Sequence, residues 1–112
     1  MKEIRAIIRP EKMEEVLAAL EKVGHPGVTV YQVEGHGRQA GLVEQFRGRE
    51  FRVDLLPKME VRVVCKDEDV EKIMQAIASA ARTGEIGDGK IFVYEVIEAL
   101  RIRSGERGEA AI

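Results

Sequence analysis

Arg82-Thr83-Gly84-Glu85-Ile86-Gly87-Asp88-Gly89-Lys90-Ile91-Phe92-Val93 joins the end of a helical pattern to an apolar strand through a turn containing Gly84, Gly87 and Gly89. Glycines so close together open backbone angles closed to other residues and let peptide N–H groups approach a ligand with no Cβ in the way. That is phosphate-binding chemistry. Lys90 adds a positive charge where the turn meets the strand, while Thr83 and Asp88 can brace the turn or contact a ribose or a metal. The spacing is not that of a Walker loop, and taken alone the stretch also fits an ordinary surface turn.

Upstream, Val70, Ile73, Met74, Ile77, Ala78 and Ala81 recur at helical spacing after Asp67, a candidate N-cap. Before them Met59, Val61, Val63 and Cys65 alternate with Glu60, Arg62 and Val64, the period of a strand that follows Pro57-Lys58. Downstream, Ile91 to Val96 forms the next strand. The tail carries Arg101 and Arg103, which share a face if that segment is extended.

The first half repeats the scheme. Lys2 to Arg9 alternates, with Ile4, Ala6 and Ile8 on one face and Arg5, Ile7 and Arg9 on the other, and stops at Pro10. From Glu11, Met13, Val16, Leu17, Leu20 and Val23 mark an amphipathic helix closed by Gly24. The His25-Pro26-Gly27 turn, in which His25 reads as a solvated turn residue, leads into a strand over Val28 to Val33. A glycine-rich stretch from Gly35 to Gly41 then opens a long loop with no clean period, about 37–56, that holds Phe46 and Phe51 among charges. Such content suits transient docking, or a hairpin whose aromatics fold back.

The expected plan is α+β and ferredoxin-like, βαββαβ, with one antiparallel sheet and both helices on one side. The other sheet face keeps Ile7, Val64, Phe92 and Tyr94. At roughly 25 cal/mol per Å² of apolar area left in water, that face favours a cyclic homo-oligomer.

The 112 residues fit a single domain spanning 1–112, with a short tail from about 101. Their 45% hydrophobic and 34% charged content describes a globular chain without a membrane-length apolar run. The start, Met-Lys-Glu-Ile-Arg before Pro10, lacks a signal peptide's apolar core. The one cysteine, Cys65, falls in an apolar strand pattern and cannot form an internal disulfide, so a cytoplasmic protein is expected. A net charge of −2 disfavours general nucleic-acid binding, which needs a basic face.

Several motifs in order are similar to the PII nitrogen-regulatory signal proteins along the whole chain. They are Gly37-Arg38-Gln39, Arg47-Gly48, Val53-Asp54, Leu56-Pro57-Lys58, Ala81 to Gly84, Ile86 to Val93, and Arg101-Ile102-Arg103 before Gly105-Glu106. The resemblance implies a homotrimer that binds ATP or ADP between subunits, senses 2-oxoglutarate through Mg-ATP, and touches target proteins with the long T-loop between its second and third strands. Carried over position by position, it puts the nucleotide against Thr29, Gly37, Arg38, Gln39, Val64, Gly87, Asp88, Gly89, Lys90, Arg101 and Arg103. It puts 2-oxoglutarate against Gln39, Gly41, Lys58 and Gly87, with Gln39 helping to hold the Mg ion and Lys58 pairing with a carboxylate. Arg47, Arg49 and Phe51 become the docking residues, and an ammonium transporter is one target the family implies.

Departures from the family pattern bear on regulation. His36 stands where an aromatic is common and Ala40 where a basic residue is usual, which bears on 2-oxoglutarate affinity. Phe51 replaces the tyrosine that many members modify and Arg49 replaces a phosphorylated serine, so covalent control at those two positions is excluded. Two other functions fit the sequence less well. A nucleotide hydrolase or phosphotransferase using His36 lacks an orienting carboxylate at a defined spacing, and an RNA-binding domain of the RRM kind has only Phe92 and Tyr94 to stack bases. An adenine-nucleotide regulator of a different target, without 2-oxoglutarate binding, is the nearer alternative.

Overall fold

The computed structural model describes residues 1–36, 42–46, 49–53 and 55–112, with backbone alone considered for the segments between 42 and 53. β1 (Lys2–Ile8), α1 (Met13–Lys22), β2 (Thr29–Gly35), β3 (Leu42–Phe46), β4 (Arg49–Val53), β5 (Leu56–Cys65), α2 (Val70–Ala81) and β6 (Lys90–Glu95) follow in that order. β2, β5, β1 and β6 lie side by side in an antiparallel sheet, the strand order of a ferredoxin-like βαββαβ unit. The expected fold is the observed one.

Alternation in β1 and β5 sends Ile4, Ala6, Ile8, Val61, Val63 and Cys65 into one cluster with Val16 and Leu20 of α1 and Ile73, Ile77 and Ala81 of α2. Both helices therefore cover the same sheet face, and each buried Ile or Leu contributes roughly 1.5–3 kcal/mol to holding them there. Cys65 is a buried hydrophobe of this core, and burial pushes its thiol up from the ordinary value. α1 ends where Gly24 turns to φ +87°, its N–H donating to the Glu21 carbonyl at 3.0 Å while the His25 N–H donates to Leu20 at 2.8 Å.

Of the two readings of the long loop, the backbone takes the hairpin: β3 and β4 pair antiparallel from Leu42–Val53 to Phe46–Arg49. Three expectations need correction. Asp67 does not cap α2, because a 3₁₀ turn over Asp67–Asp69 precedes the helix; its carboxylate instead meets the Met1 amino group at 3.0 Å and Lys2 Nζ at 3.5 Å. Arg101–Ile102–Arg103 is not extended. It forms a turn in which the Gly105 N–H donates to the Arg101 carbonyl at 2.8 Å, beside a bridge between Leu100 and Arg107, so the two guanidinium groups share no strand face. His25 is not simply solvated, since its Nε2 lies 3.6 Å from Asp69 Oδ2.

The second sheet face is uncovered, as the strand patterns require. Val64, Phe92, Tyr94 and Tyr31 are exposed there. Between them Arg5 pairs with Glu3 at 2.6 Å and lies 4.3 Å from the Tyr94 ring centre, while Arg62 pairs with Glu60 at 2.7 Å and lies 4.2 Å from that of Tyr31. Each guanidinium is neutralised by a carboxylate on its own strand and stacked on a ring from a neighbouring strand. Among the described residues no helix is long and apolar enough to cross a membrane.

Candidate ligand clefts

The glycine turn is a built structure, and Asp88 is its hub. One carboxylate oxygen accepts from the N–H groups of Thr83 and Gly84, each at 2.8 Å, and the other accepts from the Thr83 hydroxyl and from Arg9 Nε at 3.0 Å. These donors, the Thr83 hydroxyl foremost, hold the Asp88 carboxyl far below the usual carboxylate range. Asp88 thus braces the start of the turn with its side chain.

Two cations clamp the turn to the sheet. Arg9 Nη2 donates to the Ile86 carbonyl at 2.8 Å, and Lys58 Nζ donates to the Gly87 carbonyl at 2.8 Å. Burial, and next the nearby Arg9 charge, lower the Lys58 ammonium from its ordinary value. An anion placed beside Lys58 relieves both effects. Gly89 fixes the approach: at φ +101°, a Cβ added there would lie 1.7 Å from the Ile7 carbonyl oxygen, so the turn rests directly on the end of β1.

Around this turn opens a cleft of about 520 Å³. Gly35 and His36 from the end of β2, Leu56 and Lys58 from β5, the turn from Glu85 to Lys90, and Ile7 and Phe92 of the uncovered face line it. Glycine N–H groups, two lysines and an apolar wall meet in one place, the chemistry for a phosphate joined to a flat ring. Of the residues named from sequence, Lys58, Gly87, Asp88, Gly89 and Lys90 converge here. Arg9 was missed. Its only signal was position, a cation closing β1 on the face away from the helices, and a strand period cannot say what it meets.

Thr29 and Val64 lie elsewhere. They line a second cleft of about 480 Å³ with Glu3, His25, Gly27 and Arg62 at the other end of the uncovered face. Val64 lies six positions beyond Lys58 on β5, roughly 20 Å of strand. Arg101 and Arg103 line neither cleft; Arg101 Nη1 is paired with Glu106 at 2.7 Å. Gly37, Arg38, Gln39, Gly41 and Arg47 fall outside the described residues, and Arg49 and Phe51 are placed on β4 by their backbone. His36 lies in the first cleft with no carboxylate orienting it among the described residues, so the geometry adds nothing to a role as nucleophile or base.

The family model described as nitrogen regulatory protein P-II matches residues 1–106. Nitrogen regulatory protein P-II 2 of Methanothermobacter thermautotrophicus is 55% identical over 112 residues, all of this chain and 97% of that protein. The nitrogen regulatory proteins P-II of Rhodospirillum rubrum and Rhizobium meliloti are each 54% identical over the full length of both chains.

Proposed function

Because this chain belongs to the nitrogen regulatory protein P-II family, we propose that it is a homotrimeric signalling protein that binds ATP or ADP between subunits and reports the ligand state to nitrogen-assimilation targets. One observation carries the reading. Of the residues assigned to a single nucleotide, Thr29 and Val64 line one cleft and Gly87 to Lys90 the other, at opposite ends of an uncovered sheet face, as two half-sites on one chain would. Packing such faces around a cyclic axis covers the exposed Val64, Phe92 and Tyr94 and brings the second cleft of one subunit to the first cleft of the next.

In that arrangement the N–H groups from Gly87 to Lys90 and the Lys90 ammonium hold the phosphates, and Thr29 and Val64 receive the rest of the nucleotide from the neighbouring chain. Arg101 and Arg103 serve from the neighbour's tail. Among the described residues no group of three or more His, Cys, Asp or Glu side chains could hold a metal ion, and the Asp88 carboxylate is already engaged. Magnesium would come with ATP in this reading, and Gln39 would help to hold it. Lys58, poised beside the Gly87 carbonyl, pairs with a carboxylate of 2-oxoglutarate.

The output is the T-loop. Gln39 and Lys58 stand at its two roots, so Mg-ATP with 2-oxoglutarate holds those roots differently from ADP and shifts the population of docking conformers. The ADP form docks an ammonium transporter through Arg47, supported by Arg49 and Phe51, and Mg-ATP with 2-oxoglutarate releases it. Light scattering tests the trimer. Calorimetry with ADP, ATP, and Mg-ATP plus 2-oxoglutarate tests the ligands, and retention on transporter-containing membranes, with Arg47→Glu as the control, tests the output. A monomer without nucleotide affinity overturns the proposal. Nucleotide binding without 2-oxoglutarate binding leaves an adenine-nucleotide regulator, an outcome that Ala40 bears on directly.

A further inference from the structure

Arg5 and Arg62 stand directly opposite each other in the pairing of β1 with β5, in the middle of the uncovered face. Like charges in that register repel, and each guanidinium is steadied by a carboxylate on its own strand. Of the two, Arg62 also lines the second cleft. Its Nε donates to Glu60 at 2.7 Å and its Cζ lies 4.2 Å from the Tyr31 ring centre, so the side chain is held at two points. Its two terminal nitrogens have no hydrogen-bond partner among the described residues, and the side chain is 30% exposed.

A guanidinium fixed in this way presents a planar fork that can only donate. The rest of the cleft suits a flat ring. Val28, Val64 and Ile112 give it an apolar wall, and Thr29 lies opposite Arg62 in the pairing of β2 with β5. The Glu3 carboxylate, also in the lining, is engaged by Arg5 at 2.6 Å. Among the described residues, the charged edge left open to a ligand there is the Arg62 fork.

We propose that Arg62 is the base-selecting residue of the second cleft: its terminal nitrogens donate to adjacent acceptors on a purine edge, so the site takes a 6-oxopurine nucleotide at least as well as an adenine one. The proposal rests on the nucleotide reading of the clefts. A 6-oxopurine presents O6 and N7 side by side, the pair that an arginine fork meets with two bonds. Adenine presents N7 beside an amine that itself donates, so the fork makes one bond and faces a competing donor. The positive charge of Arg5 across the strand pair favours the oxygen as well. For a partly exposed side chain the low end of the range for a bidentate base contact applies, about five- to tenfold.

Calorimetry with ADP and inosine diphosphate (IDP) on wild type and Arg62→Lys tests the assignment. The two ligands share the ribose and the diphosphate and differ at the 6-position of the base. Lysine keeps a cation for Glu60 and loses the fork. Wild type is expected to bind IDP at least as tightly as ADP, and Arg62→Lys to bind IDP about five- to tenfold more weakly than wild type while ADP changes by less than about twofold. Equal changes for the two ligands in the variant point to a merely structural role and overturn the proposal. So does a wild type that binds ADP but takes IDP more than about tenfold more weakly, a result that leaves the nucleotide reading intact. If wild type binds neither, the proposal and that reading fall together. Should Arg62→Lys alone bind neither, the ratio of the two affinities in wild type decides.

Discussion

Replacing Gly89 by alanine separates two costs that glycine avoids in the ligand turn. At φ +101° an L-residue is strained, and the new Cβ would also meet the Ile7 carbonyl oxygen at 1.7 Å and its carbon at 2.8 Å. A carbon–oxygen contact rests at about 3.3 Å, so turn and strand must part by about 1.6 Å. Both atoms struck are main chain, so no rotamer change relieves the collision. Gly84, in the same turn, is the control: φ is +91° but nothing lies within 4 Å of its added Cβ. Gly84→Ala therefore carries only the left-handed backbone cost of about 1–2 kcal/mol. Gly89→Ala adds about 1–3 kcal/mol of overpacking. Urea denaturation at one fixed chain concentration should place the Gly89→Ala midpoint below that of Gly84→Ala by roughly 1 M. A shift of 1.6 Å also takes N–H groups beyond hydrogen-bond reach of a phosphate, so ADP affinity should fall at least about tenfold further in Gly89→Ala. Equal midpoints and equal affinities for the two variants would refute the close seating of the turn on β1.

Four other substitutions probe the charges assigned to ligand binding. Lys90→Ala and Arg103→Ala should each weaken ADP and ATP by roughly 1.5–3 kcal/mol in calorimetry while the circular dichroism of the fold is kept; unchanged affinity in both removes the assigned phosphate contacts. Asp88 has its carboxyl held low in the folded state, so its stabilisation is present above the unfolded carboxylate value near 3.9 and is lost as pH falls below it. Wild type should thus be more stable than Asp88→Asn at pH 6, with the gap closing as the pH is lowered towards 2; a gap that does not change with pH argues against the brace. Lys58 has a lowered ammonium value, so it begins to lose its charge below pH 10.5. Binding of 2-oxoglutarate with Mg-ATP should weaken from pH 8 to 10 in wild type, and Lys58→Ala should bind weakly at every pH in that range.

The layered fold was legible in sequence because it rests on local periods. Ile4, Ala6 and Ile8 alternate, Val61, Val63 and Cys65 alternate, and Ile73, Ile77 and Ala81 recur at helical spacing, and all of them are core residues. That Gly87, Gly89 and Lys90 would stand together at one cleft was legible too, since they are neighbours in one glycine turn. The hairpin of β3 and β4 was legible only as one of two readings, because its pairing is main-chain and the residues between 42 and 53 mix charges with aromatics in no clean period. The division of labour in the turn was not legible. That Asp88 gathers Thr83, Gly84 and Arg9, that Lys58 reaches the Gly87 carbonyl across 29 positions, and that His25 meets Asp69 are all contacts between distant parts of the chain. The same holds for the two clefts: Thr29 and Lys58 lie on adjacent, paired strands, yet antiparallel register sets Thr29 against Arg62 and Lys58 against Val33. Register is a relation between strands, and only the assembled sheet could put these side chains at opposite ends of one face.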